Sequence, residues 1–324
     1  MNKIFSFRPY LKTVVWGGDK IKKFKGIDTD QANIGESWEI SGVPGHESVV
    51  DGGEDDGLTI VELINKYGAD LIGHDVYNRF GNQFPLLIKI IDARDNLSVQ
   101  VHPDDELAGK RHNSKGKTEM WYVIDADHDS DIIAGLSKEI TPEEYRARIA
   151  NNSITEVLAS HKSHAGDVFF LPAGRIHAIG GGNLIAEVQQ TSDITYRVYD
   201  YDRRGLDGKP RELHVEEAVD AIDYKVYDNY VTGYDRDAKG EVPLASCQYF
   251  DVQKITVEGQ TSLQHYSSSF AVLICISGQC TIDIDREAAC SISRGNTVLV
   301  AASARSVTFT GDAVLIAASV PSIK

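Results

Sequence analysis

Gly166-Asp167-Val168-Phe169-Phe170-Leu171-Pro172-Ala173-Gly174-Arg175-Ile176-His177 is a glycine, five residues that read as a strand, and a tight turn ending on a histidine. The pattern recurs at Gly295-Asn296-Thr297-Val298-Leu299-Val300-Ala301-Ala302-Ser303-Ala304-Arg305-Ser306. A strand-and-turn unit used twice marks two related β-barrels. In the second copy proline has become Ala301, glycine Ser303 and histidine Ser306, so only the first copy keeps groups able to do chemistry.

The rest of the chain fits a mainly β protein. Strands are expected at 35–41, 84–91, 119–124, 131–134, 167–171 and 184–190. From Phe250 onward only strands are expected, at 250–257, 270–276, 279–284, 297–300, 306–309 and 313–318. A few helices are inserted in and beside the N-terminal barrel. Thr59-Ile60-Val61-Glu62 is a capping box that opens a helix over 59–68. Thr141-Pro142-Glu143-Glu144 opens a second, with helical segments over 141–159. Val215, Ala218, Val219 and Ile222 have helical spacing within 213–222. Residues 224–243 are polar and read as a linker. The expected division is a catalytic domain over 1–240 and a smaller degenerate β domain over 241–324 without metal ligands.

Asn96-Leu97-Ser98-Val99-Gln100-Val101-His102-Pro103 puts Ser98, Gln100 and His102 on one face of a strand and Leu97, Val99 and Val101 on the other. Glu119 opens a later strand, and His177 ends the Pro172 turn. Two histidines and a carboxylate form a common Zn²⁺ set with an open position. Gln100 can add a neutral oxygen. The same set suits Fe²⁺, and ligand type does not separate the two metals. Lys117 shares a strand face with Glu119, where a neighbouring cation would lower its pKa towards a range useful for proton transfer. Ser192 to Arg204 places Arg197, Arg203 and Arg204 among aromatic residues, a composition suited to phosphate.

The net charge of −15 argues against non-specific binding to nucleic acid or an anionic membrane. An anionic substrate would therefore need a local basic cluster. Cys247, Cys275, Cys280 and Cys290 form no C-x-x-C pair. The start of the chain lacks the apolar run of a signal peptide, and no stretch has the length of a transmembrane helix, so a cytoplasmic protein is expected.

These residues resemble the zinc-dependent mannose-6-phosphate isomerases (type I, cupin family) in their short bacterial form. Gly166 to His177 fits the second cupin motif, G-x5-P-x-G-x2-H, although Gly181 stands at its later asparagine. Ser98-x-Gln100-x-His102-Pro103 is similar to the family's zinc-binding strand, and Lys117-Thr118-Glu119 to its K-x-E element. Ser192-Asp193-Ile194-Thr195-Tyr196-Arg197 resembles its S-D-x-x-x-R segment. Trp16-Gly17-Gly18 and Gly35-Glu36-Ser37-Trp38 also look familial. The resemblance implies one zinc per chain, held by Gln100, His102, Glu119 and His177, with Arg197 and Lys117 in the reaction. It implies interconversion of mannose 6-phosphate and fructose 6-phosphate through an enediol. Arg203 stands where longer members carry a lysine.

Lys117 and Asp193 both remain open as the catalytic base. Arg203 and Arg204 are the candidates for phosphate, with Ser98 and Asp193 as further substrate contacts. The expected partner is a small phosphorylated sugar, not nucleic acid or membrane, and the chain is a monomer or homodimer. An iron-dependent cupin oxygenase and a non-catalytic sugar-phosphate-binding protein are the alternatives.

Overall fold

The computed structural model describes residues 1–263, 268–286 and 288–322. Among these the strands form three sheets, of eight, six and five strands. The six-stranded sheet runs in the order Val168–Leu171, Glu119–Ala126, Asn183–Gln190, Leu86–Ala93, Tyr10–Gly18, Ile34–Ser41. The five-stranded sheet runs Tyr196–Tyr199, Val99–Val101, His177–Ile179, Asp131–Leu136, Leu158–Lys162.

Alternation decides which residues meet. Ile91, Ala93, Trp121, Val123 and Ile185 pack against Ile132, Ala134, Ala159 and Ile179 of the five-stranded sheet. Their neighbours Ile88, Ile90, Met120, Ala186 and Val188 face the other way, onto Val272, Ile274, Leu299 and Ile316 of the eight-stranded sheet. The six-stranded sheet is thus covered on both faces, which is why Leu86–Ala93 is buried throughout. Helices Pro142–Ala150 and Val215–Ala221 cover the outer face of the five-stranded sheet through Tyr145, Ala218 and Val219.

The mainly β fold and its paired β units are as expected, but the sheets do not close into barrels. They pack face to face as a cupin-like sandwich. The repeat is visible in the backbone. Val168–Leu171 and Thr297–Val300 each follow a glycine of positive φ, +86° at Gly166 and +88° at Gly295. The copies part at the turn, where Gly174 has φ +90°. That conformation strains any residue with a side chain, and the second copy carries Ser303 there.

Both capping boxes form, at Thr59 with Glu62 and at Thr141 with Glu144. The segment over 141–159 is shorter than expected. Helix Pro142–Ala150 and the 3-10 turn Ile154–Val157 give way to strand Leu158–Lys162. Helix Asp105–His112 was not legible, because it buries Ala108 alone and has no apolar period. The polar stretch over 224–243 is no free linker. Tyr230 is buried and donates to the Leu136 carbonyl at 2.8 Å, and Val231 bridges Phe169.

In the C-terminal part, 270–276 and 279–284 are one strand, Ala271–Ile284, with a bulge between Cys275 and Ser277. Likewise 306–309 and 313–318 merge into Val307–Ser319. This sheet also takes in Ile4–Arg8, paired Ile4 to Val300, so the first strand of the chain is stitched to its last part. Asp285 secures that seam. It accepts Lys3 Nζ at 2.6 Å and the Arg305 and Ser306 N–H groups at 2.9 and 2.8 Å.

Burial pushes the Asp285 carboxyl up, but these donors outweigh it and hold it down at about 2. A carboxylate with a lowered folded pKa adds stability above its unfolded value, and that stability is lost as pH falls through the folded one. Asp285→Asn should therefore cost about 1–3 kcal/mol in urea melts near pH 7. The deficit should shrink as pH falls below about 4. A pH-independent deficit would remove the charge from the explanation.

Candidate metal centre

Cross-strand register builds one wall of the site. Gln100 lies opposite His177 on one side and opposite Arg197 on the other. Opposed residues share a face, so Arg197, Gln100 and His177 form a row across the five-stranded sheet. His177 stands opposite the core-facing Ala134, so the row faces the six-stranded sheet. Glu119 enters from that sheet, on the same face as Trp121 and Val123. His102 follows strand Val99–Val101, and its carbonyl accepts the Gly174 N–H at 2.9 Å, which ties it to the His177 turn.

The donor atoms of His102, Glu119 and His177 all lie within 4.8 Å of one another. Glu119 Oε1 is 3.2 Å from His177 Nε2, and Oε2 is 3.5 Å from His102 Nε2. His102 Nδ1 is 2.9 Å from the Ile194 carbonyl and His177 Nδ1 is 2.7 Å from the Arg175 carbonyl. A carbonyl only accepts, so each Nδ1 carries the proton and each Nε2 turns its lone pair inward.

Burial lowers His102 well below its ordinary value and His177 to about 4, which keeps both imidazoles neutral. Burial also raises Glu119, to about 8, against the pull of Lys117. Both Glu119 oxygens are buried without a hydrogen bond, although Lys117 Nζ lies 3.0 Å from Oε2. Two inward lone pairs and an orphaned carboxylate are a donor set that fits a divalent cation. Gln100 Nε2 is 3.3 Å from His177 Nε2. A half-turn of the amide exchanges that nitrogen for the oxygen a metal would require.

Lys117 is buried against this set, with Nζ 3.1 Å from His102 Nε2. Ser98 is buried on the same stretch of chain. Asp193 is exposed, and its charge acts on Lys89. Arg197 is half-buried, donates to the Glu212 carbonyl at 2.9 Å and leaves Nε without a hydrogen bond. Arg203 binds Asp200 and the Asn96 carbonyl, both at 2.6 Å. Arg204 is exposed and turned onto the Gly208 carbonyl.

Three further groups escaped sequence reasoning. Lys89 and Glu187 are opposed across the sheet, 3.4 Å apart and both buried. Trp121 Nε1 donates to Glu187 Oε1 at 2.8 Å, and Oε2 makes no hydrogen bond. Burial raises the Glu187 carboxyl, but Lys117 and Lys89 outweigh it and hold it at about 2. Burial lowers Lys89, but Glu187 and Glu36 outweigh it and raise the ammonium. A charge inside an apolar strand was the available signal, since buried lysine and glutamate need partners. Arg211 is the third, bonded twice to Asp200 at 2.7 and 2.6 Å.

A double-sheet sandwich with imidazoles and a carboxylate converging between its sheets defines a cupin-type protein with a metal-capable centre. Residues 4–148 match the phosphomannose isomerase type I catalytic domain, and 241–320 match the mannose-6-phosphate isomerase cupin domain. The mannose-6-phosphate isomerase of Streptococcus mutans is 36% identical over 94% of this chain and 94% of its own. Mannose-6-phosphate isomerase ManA of Bacillus subtilis is 38% identical over 84% of this chain and 85% of its own. The crystal structure of a Bacillus subtilis mannose 6-phosphate isomerase superposes with a TM-score of 0.88 at 31% identity, covering 98% of this chain and 99% of that one. The chain belongs to the type I phosphomannose isomerase family.

Proposed function

We propose that this chain interconverts mannose 6-phosphate and fructose 6-phosphate at a single zinc centre held by Gln100, His102, Glu119 and His177. The observation that carries the reading is the convergence of two neutral imidazole lone pairs on a buried carboxylate that has no hydrogen bond. Zinc, when bound, would act as a Lewis acid on the sugar's carbonyl and hydroxyl oxygens. The family and the row of proton-handling side chains beside the site favour the isomerase over the oxygenase and the binding protein.

The reaction moves a proton between C1 and C2 of the open-chain sugar. Lys117 is assigned that proton, because it is buried against the ligands whereas Asp193 is exposed. Glu187, held ionised by Lys117 and Lys89 and with an Oε2 that is ion-paired to Lys89 but makes no hydrogen bond, would accept a sugar hydroxyl. Arg197, with its vacant Nε, stabilises charge on the enediolate oxygen. Holding the distant phosphate keeps the reacting carbons in place.

Arg203 and Arg204 are the phosphate candidates from the sequence, and Arg211 joins them through Asp200. Arg203→Ala should raise KM for mannose 6-phosphate by about 10–100-fold with little change in kcat, as expected for a lost charge-assisted contact. An unchanged KM would move the phosphate elsewhere.

The catalytic work is assigned to residues 1–240 and a supporting role to 241–324. Among the described residues, His102, Glu119 and His177 are the only such group of potential metal ligands. Among those residues also, no helix is long and apolar enough to cross a membrane. A cytoplasmic setting agrees with the four free cysteines. The test is a coupled assay of the interconversion, before and after chelation and with zinc or iron restored. Full activity in metal-free protein would sink the metal assignment, and no interconversion with either metal would sink the function.

A further inference from the structure

The backbone around Lys117 is held from outside the site by a carboxylate that no step above uses. Asp105 Oδ1 accepts the Gly116 N–H at 2.8 Å and Gln190 Nε2 at 3.0 Å. Gln190 Oε1 in turn accepts the Thr118 N–H at 2.8 Å, and the Gln190 N–H donates to the Thr118 carbonyl at 3.2 Å. Asp105 and Gln190 therefore grip the chain on both sides of Lys117, at Gly116 and at Thr118, the residue just before Glu119. The other oxygen, Asp105 Oδ2, accepts the Tyr249 hydroxyl at 2.9 Å. Tyr249 lies in the C-terminal part, just before strand Asp251–Leu263. Burial and the Asp105 charge raise the Tyr249 phenol, so it remains a donor.

Helix capping does not account for Asp105. Asp104 is the N-cap of helix Asp105–His112, and its side chain takes the Leu107 N–H at 2.8 Å. Gly116 is seated directly on this helix start. A Cβ there would lie 2.5 Å from the Asp104 carbonyl carbon and 2.6 Å from the Asp105 nitrogen. Asp105, Gln190 and Tyr249 also line a cleft of about 910 Å³, so trimming Asp105 or Tyr249 opens no sealed cavity.

We propose that Asp105 is a positioning residue for the Lys117–Glu119 element, and that the C-terminal part supports the metal centre by holding Asp105 through Tyr249. The activity readout rests on the proposed reaction and the zinc readout on the proposed metal centre; backbone protection rests on neither.

The experiment compares Asp105→Ala, Asp105→Asn, Tyr249→Phe and Glu106→Gln in the full chain. It measures zinc affinity by chelator competition, hydrogen exchange over 114–119, and kcat and KM. Asp105→Ala should weaken zinc about 3–10-fold, as expected for losing hydrogen bonds that hold the backbone next to a ligand, and should speed exchange at Gly116 and Thr118. Its kcat should fall with KM nearly unchanged. Asp105→Asn keeps an acceptor oxygen and should recover most of the loss. Tyr249→Phe should move the exchange and the affinity in the same direction, by about threefold. Glu106→Gln removes another acidic charge from the same first turn and should change nothing, which controls for the helix dipole.

Unchanged zinc affinity and exchange in Asp105→Ala would overturn the proposal, as would an equal loss in Glu106→Gln. Should Asp105→Ala fail to fold, Tyr249→Phe decides: no change in exchange at Gly116 overturns the link. A chain that shows these zinc and exchange effects but never isomerises mannose 6-phosphate would leave this inference standing and remove the proposed function.

Discussion

His102→Ala should leave the chain folded, without stoichiometric zinc, and at least about 1,000-fold slower on mannose 6-phosphate. Lewis-acid assistance is worth several kcal/mol, and each 1.4 kcal/mol is a factor of ten, so about 4 kcal/mol gives that loss. The fold should survive because His102 lies just beyond the short strand Val99–Val101, whose core contacts come from Val99 and Val101. The metal should not survive, because His177 and Glu119 then remain with a weaker neutral ligand in Gln100. Metal analysis and the coupled assay together check this. A variant that keeps its zinc, or turns over within about tenfold of the parent, would remove His102 from the centre.

The second large effect falls on Glu187→Gln. Removing one partner of a buried ion pair costs about 3–5 kcal/mol, because the remaining charge stays buried. Lys89 keeps Glu36 at 3.6 Å, so the low end of that range is expected in urea melts. Turnover should also fall about 100-fold, through loss of the charged acceptor beside Lys117. Lys89→Met alone should be similarly costly. In the double variant the two losses should not add, with a coupling of about 1–3 kcal/mol. Strict additivity would mean that the two side chains act independently, contrary to their 3.4 Å contact.

Much of the site was legible before the fold. Ser98, Gln100 and His102 alternate, so their shared face follows from strand geometry alone. Lys117 and Glu119 are two residues apart and obey the same rule. Both capping boxes declared their helices, because the groups that satisfy each other are three residues apart. By contrast, Lys89 and Glu187 belong to two apolar strands that sequence reading treated separately. Only the register that sets them opposite each other makes them a pair. Arg211 was passed over for a like reason, since its partner Asp200 is reached by a loop that folds back.

The sequence by itself set Ser98, Gln100 and His102 two residues apart, and Lys117 and Glu119 likewise, because side-chain direction along a strand depends on its own backbone. It also determined that the second repeat cannot repeat the chemistry, because Ser306 replaces the histidine. The tertiary structure alone decided that two sheets face each other as an open sandwich, and that the first strand joins the last sheet. It alone decided that the Ile194 and Arg175 carbonyls hold each imidazole with Nδ1 protonated and the Nε2 lone pair turned inward. The link from Tyr249 through Asp105 to Gly116 is likewise invisible in the chain. These are contacts between distant segments, selected by packing and register, and no local propensity encodes them.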